Sequence, residues 1–243
     1  MRIQIEQSKL AKYVNIVQKG ISSKTTLPIL DGILLETVDG KLKLTGTDLE
    51  IGIESYVDAN IYEEGSIVIN SRLFGDIVRK LPNEEILIEE LENNTIAIKC
   101  LASEFTIVGL PADEFPNIGE INLENKLSLD KDIFRDMIKK TSFSASIDES
   151  KGIIVGVLIE MEEESLNMVA LDGFRMAITR ETMKNKEKKK IIIAARILNE
   201  INKIISENED CKEIFIVLDE KKAVFLMDET KIVTRLLEGE FIK

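Results

Sequence analysis

Histidine and tryptophan are absent from this 243-residue chain, cysteine occurs twice and proline four times. Without His the chain lacks the usual proton shuttle near neutral pH and the commonest metal ligand. Cys100 and Cys211 fall in strand-patterned segments with no metal-ligand spacing, which reads as two reduced, buried thiols. No apolar run approaches the roughly 18 residues of a membrane span, and MRIQIEQSKL lacks the apolar core of a signal peptide. A cytoplasmic protein is expected. A phosphate-cradling Gly loop and a Gly-x-Ser-x-Gly elbow are both missing. Carboxylates abound, but Glu63 with Glu64 and the run 162–164 read as loop and hairpin charges. No catalytic residue, metal or cofactor is expected, and an enzyme is the weaker reading.

What the chain does have is a repeat. Asp48 in LTGTDLEIGIE aligns with Asp172 in VALDGFRMAIT, Gly32 in DGILLE with Gly156 in VGVLIE, and Arg72 in INSRLFGDIVRKL with Arg196 in IAARILNEINKII, each pair 124 residues apart. LPADEFPN closes the first copy and LLEGEFIK the second, with Phe115 and Phe241 126 apart. Solenoid units run only about 20–50 residues, so this is a duplicated domain, divided as 1–120 and 121–243.

Hydrophobic periodicity gives each copy two helices and many antiparallel strands, an α+β class. RIQIEQ alternates like a strand. From Ser8, a plausible cap, Leu10, Val14, Val17 and Ile21 form one helical stripe. Strands joined at Asp39-Gly40 follow, then the strand GSIVIN, a helix from Ser71 to Leu81 and a meander turning at Asn93-Asn94. The second copy repeats the order, with helices over 130–140 and 194–205 and a hairpin at 162–165. The matched Asp48 and Asp172 favour a structural turn role.

The net charge of −12 is unevenly distributed. Segments 8–24, 71–81, 130–140 and 194–205 hold 13 Lys or Arg against 5 Asp or Glu, a net of +8, so −20 falls elsewhere. Lys12 and Lys19 lie two turns apart on the face opposite the first apolar stripe. Arg72 and Arg79 in the first copy correspond to Arg196 and Lys203 in the second. A row of repeated cations suits a polymer with regularly spaced negative charge, held without reading sequence. The bland alternative is a set of ordinary solvated helix faces. No zinc-finger spacing, RNP-like aromatic cluster or basic-region helix appears.

LPILDGILLE, LTGTDLEIGIE and LPADEFPN, then VGVLIE, LDGFRMAIT and LLEGEFIK, resemble in order the bacterial replicative sliding clamp, the beta subunit of DNA polymerase III. The resemblance implies tandem DNA-clamp domains with helices inside and sheets outside. It implies a non-catalytic processivity factor that encircles duplex DNA and tethers the polymerase catalytic subunit, the clamp loader and repair proteins through short peptide motifs. The full-length form would be a homodimeric ring of three domains per subunit, nucleoid-associated when loaded and without membrane contact. The third domain is expected to be absent from this chain.

Site residues follow from the same resemblance. DNA-facing positions are Lys24 and Lys151, beside the helix cations Lys12, Lys19, Arg72, Arg79, Arg196 and Lys203. A partner-peptide pocket would use Ile154 on a neighbouring strand, Leu171, Gly173, Phe174, Arg175, Met176 and Ile242. The family usually has Thr or Ser, His, Leu and Pro where this chain has Leu171, Phe174, Met176 and Ile242, which makes the pocket greasier. Ring closure would use the edge strand from Glu104 to Leu110, with Phe105 and Ile107 supplying the apolar contact. Alternation alone favours core over pocket for Phe174 and Met176, and it also allows Phe105 and Ile107 to be ordinary inward strand residues. The alternative function is an acidic two-domain scaffold that binds protein partners without touching DNA.

Overall fold

The computed structural model describes residues 1–22, 25–119, 126–184, 188–208, 211–219 and 221–241. The chain divides into two compact units, the first of residues 1–119 with 229–231 and the second of residues 120–228 with 232–243. In the first unit the order is β1 (Arg2–Glu6), α1 (Gln7–Gln18), β2 (Gly32–Val38), β3 (Lys41–Thr47), β4 (Ile51–Asp58), β5 (Asn60–Glu63), β6 (Ser66–Asn70), α2 (Ser71–Lys80), β7 (Glu85–Leu91), β8 (Thr95–Cys100) and β9 (Ser103–Val108). The second unit follows with β10 (Leu127–Asp130), α3 (Lys131–Thr141), β11 (Gly156–Glu162), β12 (Ser165–Leu171), β13 (Met176–Thr182), β14 (Lys189–Ala194), α4 (Ala195–Glu207), β15 (Glu213–Leu218), β16 (Lys222–Met227) and β17 (Thr230–Arg235), of which residues 230 and 231 group with the first unit.

Topology repeats with the sequence. Strands run β1-β7-β8-β9 and β4-β3-β2-β6 in the first copy, and β10-β15-β16-β17 and β13-β12-β11-β14 in the second. β5 is an addition beside β1. Among the described residues no helix is long and apolar enough to cross a membrane.

Each helix begins on the residue after a strand ends, at 6/7, 70/71, 130/131 and 194/195. Asn70 and Asp130 cap two of these starts, accepting from Leu73 N at 3.0 Å and from Asp132 and Ile133 N at 2.9 and 3.0 Å. Ser8 is not a cap. α1 starts one residue earlier, because β1 runs straight into it and the Gln7 N–H is taken by Glu84 O at 3.0 Å. Nor does α1 continue to 24: it ends at Gln18, where the N–H groups of Lys19, Gly20 and Ile21 turn back to carbonyls three residues earlier.

The apolar stripes face the sheets as their spacing requires. Leu10, Val14 and Val17 of α1, Phe74 and Val78 of α2, Phe134 and Ile138 of α3, and Leu198, Ile201 and Ile205 of α4 are all buried. Phe134 stacks on Phe225 with ring centroids 5.9 Å apart. The repeated glycines have a spatial reason. A Cβ on Gly32 would stand 2.3 Å from Val68 Cγ1, and one on Gly156 2.5 Å from Ile192 Cγ2. Only a bare Cα lets β2 close on β6 and β11 on β14 at that point. Turn signals held as well: Asp39 and Gly40 have φ of 50° and 76°, and Glu162 pairs with Ser165 across a two-residue turn.

Candidate functional site

α1 carries two Lys and no acid, α2 three cations and one acid, α3 four and two, and α4 two and two. These eleven cations against five carboxylates leave +6 on the helices, so the rest of the chain must carry −18 to give the net of −12. α4 is neutral because it runs on to Glu207, two residues past the periodic segment.

Many of these cations are already engaged. Arg79 bonds Asp76 at 2.8 Å and Lys203 bonds Glu200 at 2.7 Å, the same intrahelical pair at the same repeat position. Arg135 pairs with Asp132 at 3.2 Å, and Lys140 pairs with Asp136. Such exposed pairs contribute little to stability, but they mute the cation. Arg72, Lys80 and Lys139 are exposed and form no ion pair among the described residues; Arg196 is exposed too. Lys80 and Lys139 were not singled out from the sequence, since neither has a cationic repeat mate at 204 or 15.

The α1 positions differ from expectation. Lys12 is half-buried with its Nζ 5.6 Å from the centre of the Tyr13 ring. Lys19 is the half-buried C-cap rather than a helix-face residue, and its Nζ donates to Asn15 O at 3.1 Å. Lys24 lies outside the described residues.

Asp48 and Asp172 organise matching turns. Asp48 Oδ1 accepts from Glu50 and Ile51 N at 3.0 and 2.9 Å, and Asp172 Oδ1 from Phe174 and Arg175 N at 2.9 and 3.1 Å. In the second turn Gly173 has φ 95°, a value that L side chains rarely adopt. The turn throws Phe174 outward to 95% exposure, and Met176 and Ile178, at the start of β13, are each 61% exposed. The core alternative for Phe174 and Met176 is therefore wrong: 172–175 is a turn, where period-two alternation has no meaning, and β13 is the last strand of its four.

Arg175 is fixed within this surface. Its Nε donates to Asp172 Oδ2 and its Nη2 to Phe143 O, both at 2.9 Å, and its guanidinium lies 5.7 Å from the centre of the Phe143 ring. Phe143 is 58% exposed, an aromatic the sequence reading missed because it follows directly on a helix end. Lys151 holds its Nζ 5.8 Å from the centre of the Phe174 ring, so a residue assigned to DNA and one assigned to peptide sit side by side. Leu171 is half-buried at the end of β12. Ile154 is half-buried in the 3-10 segment Glu149–Val155, not on a strand, since Gly152 at φ 63° kinks the chain before β11. Ile242 lies outside the described residues.

The Asp172 turn carries a pH signature. N–H bonds from Phe174 and Arg175, with the Arg175 guanidinium, hold its carboxyl below the ordinary carboxylate value. A depressed folded-state pKa means the turn's contribution is complete above the unfolded value, about 3.9, and is lost as pH falls through the folded one. Amide shifts of Phe174 and Arg175 should therefore titrate with a midpoint below about 3.9, and Asp172→Asn should abolish that titration. A midpoint above the free value contradicts the bonding described.

On β9 the two expected contact residues separate. Ile107 is 5% exposed and belongs to the core, as the inward alternative has it, whereas Phe105 is 41% exposed. β9 ends the five-stranded order β5-β1-β7-β8-β9, and Leu101 just before it and Val108 at its end are 76% and 73% exposed.

Comparison with known proteins agrees with this architecture. The sequence profile of the DNA polymerase III beta subunit, N-terminal domain, matches residues 1–119, and that of the central domain matches residues 128–243. The beta sliding clamps of Halalkalibacterium halodurans and Bacillus subtilis are each 31% identical, with 99% of this chain and 66% of the relative aligned. The solved DNA polymerase sliding clamp of Bacillus subtilis superimposes with a TM-score of 0.95 at 30% identity, and the DNA polymerase III beta subunit of Thermotoga maritima with 0.92 at 27%. Each match covers 100% of this chain and 66% of the other, so the chain spans just under two thirds of these relatives' length. Two successive domain profiles and a shared fold over the whole chain place this protein in the DNA polymerase III beta subunit family.

Proposed function

We propose that this chain forms two domains, 1–120 and 121–243, of a non-catalytic processivity clamp that encircles duplex DNA and tethers the replicative polymerase. The observation that carries this reading is the repeat of exposed cations, Arg72 on α2 and Arg196 on α4, on helices set against an acidic remainder. Arg72 and Arg196, with Lys80, Lys139 and Lys151, meet phosphates nonspecifically. Lys12 within α1 and Lys19 at its C-cap add to the positive charge of the first unit, and Lys203 is available once its pair with Glu200 opens. The acidic remainder of the chain repels stray duplex, which confines contact to the helices.

Phe174, Met176 and Ile178, with Arg175 held by Asp172, form the peptide-binding surface for short hydrophobic motifs of the polymerase, the clamp loader and repair proteins. Leu171, Gly173 and Ile154 shape its floor. Phe105 on the β9 edge serves ring closure between two subunits of the full-length form. The protein works in the cytoplasm, on the nucleoid when loaded.

Titrating duplex DNA into isotope-labelled protein tests this assignment. Shift changes should map to Arg72, Lys80, Lys139 and Arg196 and spare the sheets. Changes confined to the strands, or none at low salt, would leave the protein-only scaffold as the better description.

A further inference from the structure

The two units solve the same joint between helices in different ways, and the difference reassigns one cation. In the second unit, α3 and α4 meet through Ser142 Oγ, which donates to Asn199 Oδ1 at 2.8 Å. The residues 124 earlier are Gln18 and Gly75, so a short side chain facing a longer one has become a long one facing none. Gln18 fills the gap. Its Nε2 donates to Ser71 O at 2.6 Å and stands 2.5 Å from where a Gly75 Cβ would be.

Arg79 completes the joint. Nη1 donates to Asn15 Oδ1 at 2.7 Å and to Gln18 Oε1 at 2.9 Å, both on α1, while Nη2 donates to Asp76 Oδ1 on its own helix. Gly75 makes room, since its missing Cβ would lie 3.0 and 3.1 Å from the two Nη atoms. At the matching place in the second unit, Lys203 bonds only Glu200 among the described residues, and its side chain is 59% exposed against 38% for Arg79. A guanidinium can fork to three acceptors on two helices, whereas an ammonium is a single point of charge.

We propose that Arg79 is a brace locking α1 to α2 rather than a phosphate contact, a positioning residue that sets α1 against the helix bearing Arg72. To reach a phosphate, Nη1 would have to abandon two oxygens of α1, and the Asp76 carboxylate beside it would repel the incoming anion. The proposal rests on the DNA-facing role given above to the helices, but half of its test is independent of that role.

Arg79→Ala, Arg79→Lys and, as comparator, Arg72→Ala are made in the full chain. Each is melted, and its binding to a short DNA duplex is followed over a range of salt. A lost phosphate contact flattens the log–log salt dependence by about 0.9. Arg72→Ala should show that flattening with an unchanged melting temperature. Both Arg79 variants should keep the wild-type slope and melt about 2–4 °C lower, Lys included because it restores the charge but not the fork. A flattened slope in Arg79→Ala overturns the proposal, and so does wild-type melting in either variant. If wild type itself shows no salt-dependent binding, the DNA-face reading fails, and the melting data alone still decide the brace.

Discussion

Phe134→Ala should destabilise the second unit by about 3–5 kcal/mol, more than any single surface change in the chain. The ring is wholly buried on α3, and its stacking partner Phe225 is wholly buried on β16. Truncation therefore removes both transfer free energy and the ring contact, and it leaves a void between a helix and a sheet that cannot collapse onto each other. The neighbouring Ile133 is 44% exposed, and Ile133→Ala should stay within about 1 kcal/mol. Urea unfolding followed by circular dichroism compares the two. Equal midpoints would show that α3 does not pack through the face described.

The second large effect concerns charge. Arg72→Ala combined with Arg196→Ala should flatten the salt dependence of duplex binding by nearly two and weaken binding at 0.1 M salt by about 50-fold, from counterion release alone. The Arg72→Lys, Arg196→Lys pair keeps the charge and should retain most of the affinity, because a nonspecific phosphate contact needs a cation more than a fork. Binding that survives both Ala substitutions with its slope intact would move the nucleic-acid surface away from these helices.

Much of the fold was legible because its signals are local. The stripe Leu10, Val14, Val17 forces one helix face inward, Asp39-Gly40 adopts the turn its residues favour, and Asp48 and Asp172 accept amide hydrogens within three residues. The repeat doubled each of these signals. What stayed hidden depended on residues far apart in sequence. Arg79 looked like the twin of Lys203 until Asn15 and Gln18 were brought against it across 64 and 61 residues, through the space left by Gly75. Phe174 looked like half of a strand pair because an apolar, charged, apolar triplet reads the same in a strand as across a turn into one. Only the Asp172 hydrogen bonds separate the two. Of the β9 pair, Ile107 proved to be core and Phe105 partly open, a distinction that alternation cannot make between residues on the same face.

The seams where each strand becomes a helix without an intervening residue restrict how such a chain can change length. One residue inserted between Asn70 and Ser71 would turn α2 by about 100°, carrying the Phe74 ring into the place of Gly75, where even a Cβ would stand 2.5 Å from Gln18 Nε2. Nothing slack lies next to it to absorb the error. Tolerance for added or lost residues is therefore concentrated in hairpin tips such as Asp39-Gly40 and Glu163-Glu164, so the chain can diversify at those tips while its helices keep their bearing.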